Sequence, residues 1–247
     1  MKKLVAVLAI ISFNAHAAPD CREIPSCESL GYICSAEECG DLKALSCPFD
    51  TSKKICFPKN KDCEVGDTLY NDFMCHDAPC GKIPIAIVFD TESRLALQLH
   101  NGGGGLWGGY GYDIEGLENC GVGDAPVSCG IDGKYNTKTI VEFGKANDLS
   151  FPAAEGCYNS TFGGLPQGSW WLPSARELRL LSQHHDTIVA AASKYNVNLG
   201  SKRVWTSTEC SQEHAHSEWI NTGDMSIVGG YTNRGAAGLH WYCVIGY

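Results

Sequence analysis

Beyond residue 13 this sequence has no apolar run long enough to cross a bilayer, so no transmembrane segment is expected after the first stretch. It has no pair of C-x-x-C knuckles, which argues against structural zinc as the reason for its 14 cysteines. It also lacks a G-x-S-x-G elbow, an H-E-x-x-H helix and an EF-hand loop, so the common hydrolase, metallopeptidase and calcium-loop signatures are missing. A non-enzymatic protein is expected, with no catalytic residue, no cofactor and no metal. Positive charge is scarce as well: 19 Lys and Arg stand against 28 Asp and Glu, a formal charge of −9. Such a chain lacks the general electrostatic footprint for nucleic acid or an anionic membrane surface.

What is present begins with an export pattern. Lys2 and Lys3 precede the apolar run Leu4 to Phe13, and Ala15-His16-Ala17 offers a small-x-small cleavage site. Residues 1–17 are therefore read as a signal peptide, and the mature chain, starting at Ala18, has a charge of about −11 once the two lysines are gone. Ala18-Pro19-Asp20 ahead of Cys21 is not a lipoprotein context, so no lipid anchor is expected. The destination is the periplasm, the cell surface or the medium.

All the cysteines follow the signal, an even number in an oxidising compartment, and all are read as disulfide partners. Cys21, Cys27, Cys34, Cys39, Cys47 and Cys56 crowd a segment poor in large aliphatics, too short to bury a core without staples. Cys63, Cys75, Cys80, Cys120, Cys129, Cys157, Cys210 and Cys243 belong to the longer part. Parity favours a linker at about 57–62, giving a small cysteine-rich module over 18–62 and a larger domain over 63–247. Pairing within the small module is open. In the larger part Cys75 and Cys80 can close a small loop, Cys120 and Cys129 a second one, and Cys210 and Cys243 are expected to pair and brace the last strands.

The strongest local signal runs from Gly168 to Ser182. Ser174 and Glu177 have capping-box spacing, Pro173 keeps the helix from starting earlier, and Ala175, Leu178 and Leu181 recur on one helical face. Strands are predicted at 66–70, 83–89 and 95–99, the last two joined by Asp90-Thr91-Glu92-Ser93, with Pro84 suggesting a sheet edge. Asn101 to Gly111 holds seven glycines and a literal G-x-G-x-x-G, but no helix pattern follows it. It is read as a flexible surface loop carrying Trp107, Tyr110 and Tyr112. Helices are expected from Asn136 through Lys145, over 151–158, and after a cap at Asp186; strands return at 204–208, 217–221, 225–229 and 239–245. Helices in the middle with an antiparallel sheet built from both ends make an α+β, disulfide-rich fold, the two ends meeting in that sheet.

Several of these residues together match a known pattern. Trp171-Leu172-Pro173-Ser174, Glu177-Leu178, Val204-Trp205-Thr206-Ser207-Thr208-Glu209, Trp219 and Trp241-Tyr242-Cys243-Val244 resemble the Lcl C-terminal domain family, and Val65 to Tyr70 through Leu95-Ala96-Leu97 is similar to the N-terminal half of its exported members. The resemblance spans about 63–247. It implies a C-type-lectin-like architecture and an exported or surface bacterial protein. The family's namesake is a collagen-like adhesin that binds sulfated polysaccharides. This chain has no Gly-x-y tract and is acidic, so neither the trimer nor the sulfated ligand transfers with the fold.

His214 and His216 would share one side of a strand and could hold a metal, but a solvated loop ahead of Trp219 is the preferred reading of them. His184-His185 suits the negative end of the hub helix, and Trp205 and Trp219 are expected in the core. A ligand-binding surface is expected on loops between the last strands, at Glu209, Asn221, Asp224, Tyr231, Asn233 and Arg234, where amides and carboxylates beside an aromatic suit sugar hydroxyls. The expected role is an adhesin-like binding module for a glycan or a surface partner. A structural envelope protein and an unrecognised enzyme on the same fold are the competing classes.

Overall fold

The computed structural model describes residues 61–76, 82–100, 102–121, 123–125, 127–200, 202–220 and 230–247, together with the backbone of short strands between 33 and 60. The chain divides into two compact units, Met1–Pro58 and Lys59–Tyr247. In the smaller one, β1 (Ile33–Cys34), β2 (Ala44–Ser46) and β3 (Lys54–Cys56) form an antiparallel sheet in the order β1-β3-β2. Cys21, Cys27, Cys39 and Cys47 lie outside the described residues.

The larger unit opens with β4 (Asn60–Lys61), in the stretch read as linker, and continues through β5 (Thr68–Tyr70), β6 (Cys75–His76), β7 (Pro84–Asp90), β8 (Leu95–Gln98) and β9 (Gly103–Gly105). Four short helices follow: α1 (Gly133–Asn147), α2 (Pro152–Tyr158), α3 (Ala175–Gln183) and α4 (His185–Ser193). Then come β10 (Lys202–Ser211), β11 (His214–Ile220), β12 (Gly230–Asn233), β13 (Leu239–Trp241) and β14 (Val244–Gly246). The architecture is α+β, with two mostly antiparallel sheets in this unit ordered β14-β8-β7-β5-β6-β4 and β12-β11-β10-β13-β9. The sequence pattern anticipates one sheet; the chain makes two because the apolar run 239–245 is interrupted at Tyr242-Cys243. There it leaves β10, which it joins in parallel at Val204–His240, and pairs with β8.

β7 is central in its sheet, and Pro84 is its first residue, where no ladder donor is needed; the expected edge position is wrong. Its run Ile85 to Phe89 is buried at every position, so both faces are covered. Within α3, Ser174 accepts from Glu177 N at 3.2 Å and Glu177 Oε2 accepts from Ser174 N at 2.8 Å, the capping box that the spacing predicts. Asp132, not Asn136, caps α1, because the helix starts a turn earlier and Asn136 falls inside it. Asp186 likewise sits in the first turn of α4, whose N-cap is His184 with no side-chain bond, and the helix stops at Ser193, ahead of Asn198-Leu199-Gly200.

The corner before α3 ties the layers together. Trp171 forms a bridge with Val244 of β14, Ser207 N of β10 donates to Pro173 O, and Thr137 Oγ1 of α1 donates to Leu172 O at 3.1 Å. Glu177 Oε2 also accepts from Trp171 Nε1 at 3.2 Å, and a Cβ at Gly133 would collide with it, which is why glycine opens α1. Trp170, Leu172, Leu178 and Leu181 are buried in the same core as β7, β8 and β10.

Three disulfides are described: Cys63–Cys75, Cys120–Cys129 and Cys157–Cys243. The loop at 120–129 is stapled as expected. Cys75 bonds Cys63 across the β4–β6 corner instead of Cys80, which lies outside the described residues. Cys243 bonds Cys157 instead of Cys210, because the break before β14 carries it toward α2. Cys210 is a free, buried thiol, so not every cysteine is in a disulfide, and burial pushes its pKa up to about 12. The glycine-rich stretch is also less loose than expected. β9 pairs with β13, its Gly103 leaves room for the Trp241 ring, and Trp107 is buried.

Candidate functional site

Two residues expected to face a ligand are inside the protein. Glu209 and Arg234 are 1% and 0% exposed and form a buried ion pair through Arg234 Nη2 and Glu209 Oε1. Arg234 Nη1 donates to Tyr112 O at 2.8 Å and Gly109 O at 3.3 Å, its Nε donates to His214 O at 3.4 Å, and its guanidinium lies 4.4 Å from the centre of the Trp107 ring. Ile114 N donates to Glu209 Oε1 at 3.3 Å. This cation therefore pins the loop at 109–114 to the β10–β11 hairpin; it is a fastener, not a ligand contact. Burial pushes the Glu209 carboxyl up and the Arg234 guanidinium down, while each charge pulls the other back toward ionisation.

Tyr231 and Asn233, on β12, are exposed, with Asn233 Oδ1 turned back to accept from Gly235 N. Asn221 and Asp224 lie outside the described residues, as does the strand expected at 225–229. Of the expected set, Tyr231 alone offers a free aromatic face, and it stands edge-on to His214 at 6.1 Å. Among the described residues His214 and His216 belong to no group of three metal-ligating side chains. His214 Nδ1 is 3.3 Å from Ser211 Oγ, whereas His216 is fully buried with neither ring nitrogen hydrogen-bonded, its pKa lowered to about 4 by desolvation and by Arg203. Trp219 is exposed rather than core, since its strand turns that side outward.

The segment that the Glu209–Arg234 pair holds down has a chemistry of its own. From Asn101 to Gly133 there is no Lys, Arg or His, while Asp113, Glu115, Glu118, Asp124 and Asp132 all lie there and all are exposed. Tyr110 and Tyr112 are about half exposed on the same segment, and Tyr135 follows on α1 at 54%. The absence of basic residues was legible in the sequence; only the fold brings the segment against the start of α1.

There an open cleft of about 360 Å³ forms, lined by Glu118, Ser128, Ile131, Asp132, Tyr135 and Asn136 with Gly116 and Gly130 between them. Four of the lining side chains are positioned by bonds to the backbone. Glu118 Oε2 accepts from Gly130 N at 2.9 Å, Asp132 Oδ1 from Tyr135 N at 2.9 Å as the cap of α1, and Tyr135 OH donates to Gly116 O at 3.2 Å. Asn136 is 4% exposed, and its Nδ2 donates to Gly130 O and Ser207 Oγ at 2.7 and 3.4 Å. The Cys120–Cys129 disulfide closes the loop that forms the outer wall. Carboxylate oxygens, a hydroxyl and a ring on a stapled frame can accept hydrogen bonds from a ligand and stack against it. Glu118 also groups with Cys120 and Cys129 at metal-ligand distance, but both sulfurs are in the disulfide and unavailable as thiolates.

A second cleft of about 280 Å³ lies near the Cys63–Cys75 disulfide, between Phe73, Arg94 and Tyr247, where the Arg94 guanidinium already stacks on the Tyr247 ring at 5.1 Å. No described helix is long and apolar enough to cross a membrane.

No family model matches this chain, and no curated protein matches it. Among solved structures, it is similar in fold to a fimbrial protein from Bacteroides ovatus, at 14% identity and a TM-score of 0.55. That match covers 75% of this chain and 49% of the other, so the chain spans about half the length of that neighbour, and the likeness at this identity is one of fold.

Proposed function

We propose that this is an exported, non-enzymatic binding module of the bacterial surface, adhesin-like in role, whose larger unit recognises a glycan through the cleft at the start of α1. The observation that carries this reading is the cleft itself: Tyr135 exposed at its rim, Asn136 buried in its wall, and Glu118 and Asp132 held in place by backbone donors. Sugars need such a set, with acceptors at fixed positions and a flat ring. No family model bears out the resemblance to the Lcl C-terminal domain family; the export pattern at 1–17, the disulfides and the fold likeness to a fimbrial protein support an exported surface role. A glycan-array screen of the mature protein beside its Y135A variant tests it. Binding to a subset of glycans that Y135A loses, with an unchanged melting temperature, is the expected result; no bound glycan at high protein density refutes it.

The fold likeness to a fimbrial protein favours one other reading, a structural subunit of a surface appendage. Filaments or ladders of purified mature protein, seen by electron microscopy, would support that reading in place of the first.

A further inference from the structure

We infer that the ligand of this cleft carries positive charge, as a protonated amine or guanidinium; the inference rests on the cleft being the binding site. Three observations converge on it. The five carboxylates of the 113–132 segment are exposed, and among the described residues none of them forms a salt bridge, although ion pairs occur elsewhere in this unit, such as Lys61–Asp67 and Lys138–Glu142. The cleft wall has no basic residue, and the nearest in sequence, Lys134, holds its ammonium 5.4 Å from the Trp171 ring. Asn136 is more than nine-tenths buried in that wall; its nitrogen is taken by Gly130 O and Ser207 Oγ, and no hydrogen bond reaches its oxygen among the described residues. The side chain thus offers the cleft an acceptor.

Glu118 and Asp132 each spend one oxygen on a backbone N–H and leave the other available. Apart from Ile131 the wall is therefore a set of oxygen acceptors in a field of uncompensated negative charge, which a donor-rich cation satisfies and an anion does not. A bare metal ion suits it poorly, because about 360 Å³ far exceeds one ion with its ligands at about 2.4 Å. An amine on a sugar ring or on a side chain has the size and the donors. Those two sources share one chemistry, and Tyr135 at the rim adds a face for a cation or a sugar ring.

The test titrates the mature full chain with glucosamine oligomers, with the same oligomers N-acetylated, and with a lysine-rich peptide, using calorimetry at low and at 0.5 M salt. The cationic sugar should bind, its acetylated counterpart at least about tenfold more weakly, a step equivalent to 1.4 kcal/mol. Added salt should weaken binding as exposed charges are screened. E118Q with D132N should cut affinity by about tenfold or more. Asparagine caps a helix as aspartate does and glutamine still accepts from Gly130 N, so the fold should hold. Equal or tighter binding of the acetylated oligomers, lost in Y135A, overturns the charge requirement and leaves the glycan reading standing. Cleft-dependent binding of the lysine peptide without either sugar upholds the cation and overturns the glycan. Binding of none of the three overturns the charge inference, while the array decides the glycan reading by itself.

Discussion

Replacing Arg234 by methionine should be among the most damaging single changes in the larger unit, and the reason lies in what it leaves behind. Methionine fills most of the volume but removes every donor, so the Glu209 carboxylate stays buried without its counter-charge, its Oε2 already lacking a partner. Breaking a buried pair from one side costs about 3–5 kcal/mol. The carbonyls of Gly109, Tyr112 and His214 lose their donors too, at about 1 kcal/mol or more each where water cannot reach them. Part of that is recovered when the loop at 109–114 lifts into solvent, so a net loss of about 5 kcal/mol is expected. For a unit of this size it corresponds to a fall in Tm on the order of 10–20 °C. Urea melts followed by tryptophan emission suit the measurement, because the guanidinium sits 4.4 Å from the Trp107 ring and the native signal itself should change. Adding E209Q to R234M should recover about half the loss by removing the stranded charge. A loss below about 1 kcal/mol, or lost ligand binding with unchanged stability, would refute the reasoning and return Arg234 to the ligand surface.

Ser174→Ala should cost about 1 kcal/mol for the cap on Glu177 N and about 1 kcal/mol more for the bond to Ile131 O; an unchanged denaturation midpoint would mean the corner is not held by its cap. Stability should rise, not fall, on acidification from pH 7.5 to 5. Burial raises Glu177 and Glu218 to about 7, so each contributes stability that is complete below about 4.5 and lost as pH climbs through 7. His216, lowered to about 4, contributes in the opposite sense, its share being lost as pH falls from 6.5, so it opposes Glu177 and Glu218, while Glu209, also raised by burial, acts in their direction. The net gain is about 3 kcal/mol at about 1.4 per pKa unit, and E218Q should flatten it; melting curves that fall over this window contradict the assignment. Replacing both Cys157 and Cys243 by serine opens a closed segment of 86 residues and should cost about 4 kcal/mol in thermal or urea unfolding, whereas Cys210→Ser should be nearly silent; the reverse order would overturn the pairing.

What could be read in the sequence was whatever depends on neighbours in the chain. The Ser174–Glu177 box, the β7–β8 hairpin and the stapled loop at 120–129 each close within a dozen or so residues, so spacing is enough to predict them. Arg234 could not be placed, because its partners at 109, 112, 209 and 214 come from three other stretches, and a charged residue in a loop-rich region reads as surface until they are known. Cys157–Cys243 was hidden for the same reason: it depends on where the last strand breaks, and apolar residues, Trp241 before and Val244 after, flank that break on both sides. Trp219 was misplaced because hydrophobicity says nothing about which side of β11 faces out. The proposed cleft was half legible. A long stretch without a basic residue is visible in the letters, but Asn136, one turn into a helix, becomes part of a cleft only when the 116–132 loop folds over it.

The bond between Cys157 and Cys243 has a mechanical consequence. If tension is applied between Lys61 and Tyr247, β14 peels from β8 first, and the load then reaches the disulfide, which carries it covalently past α3, α4 and β10 to β13. The 86-residue separation, about 300 Å of extended chain at about 3.5 Å per residue, stays out of the force path. The cleft wall at 116–136 lies before Cys157 and remains in that path. A protein built this way keeps about half of its larger unit folded under load, while the segment that forms the proposed binding cleft is the one that feels the pull.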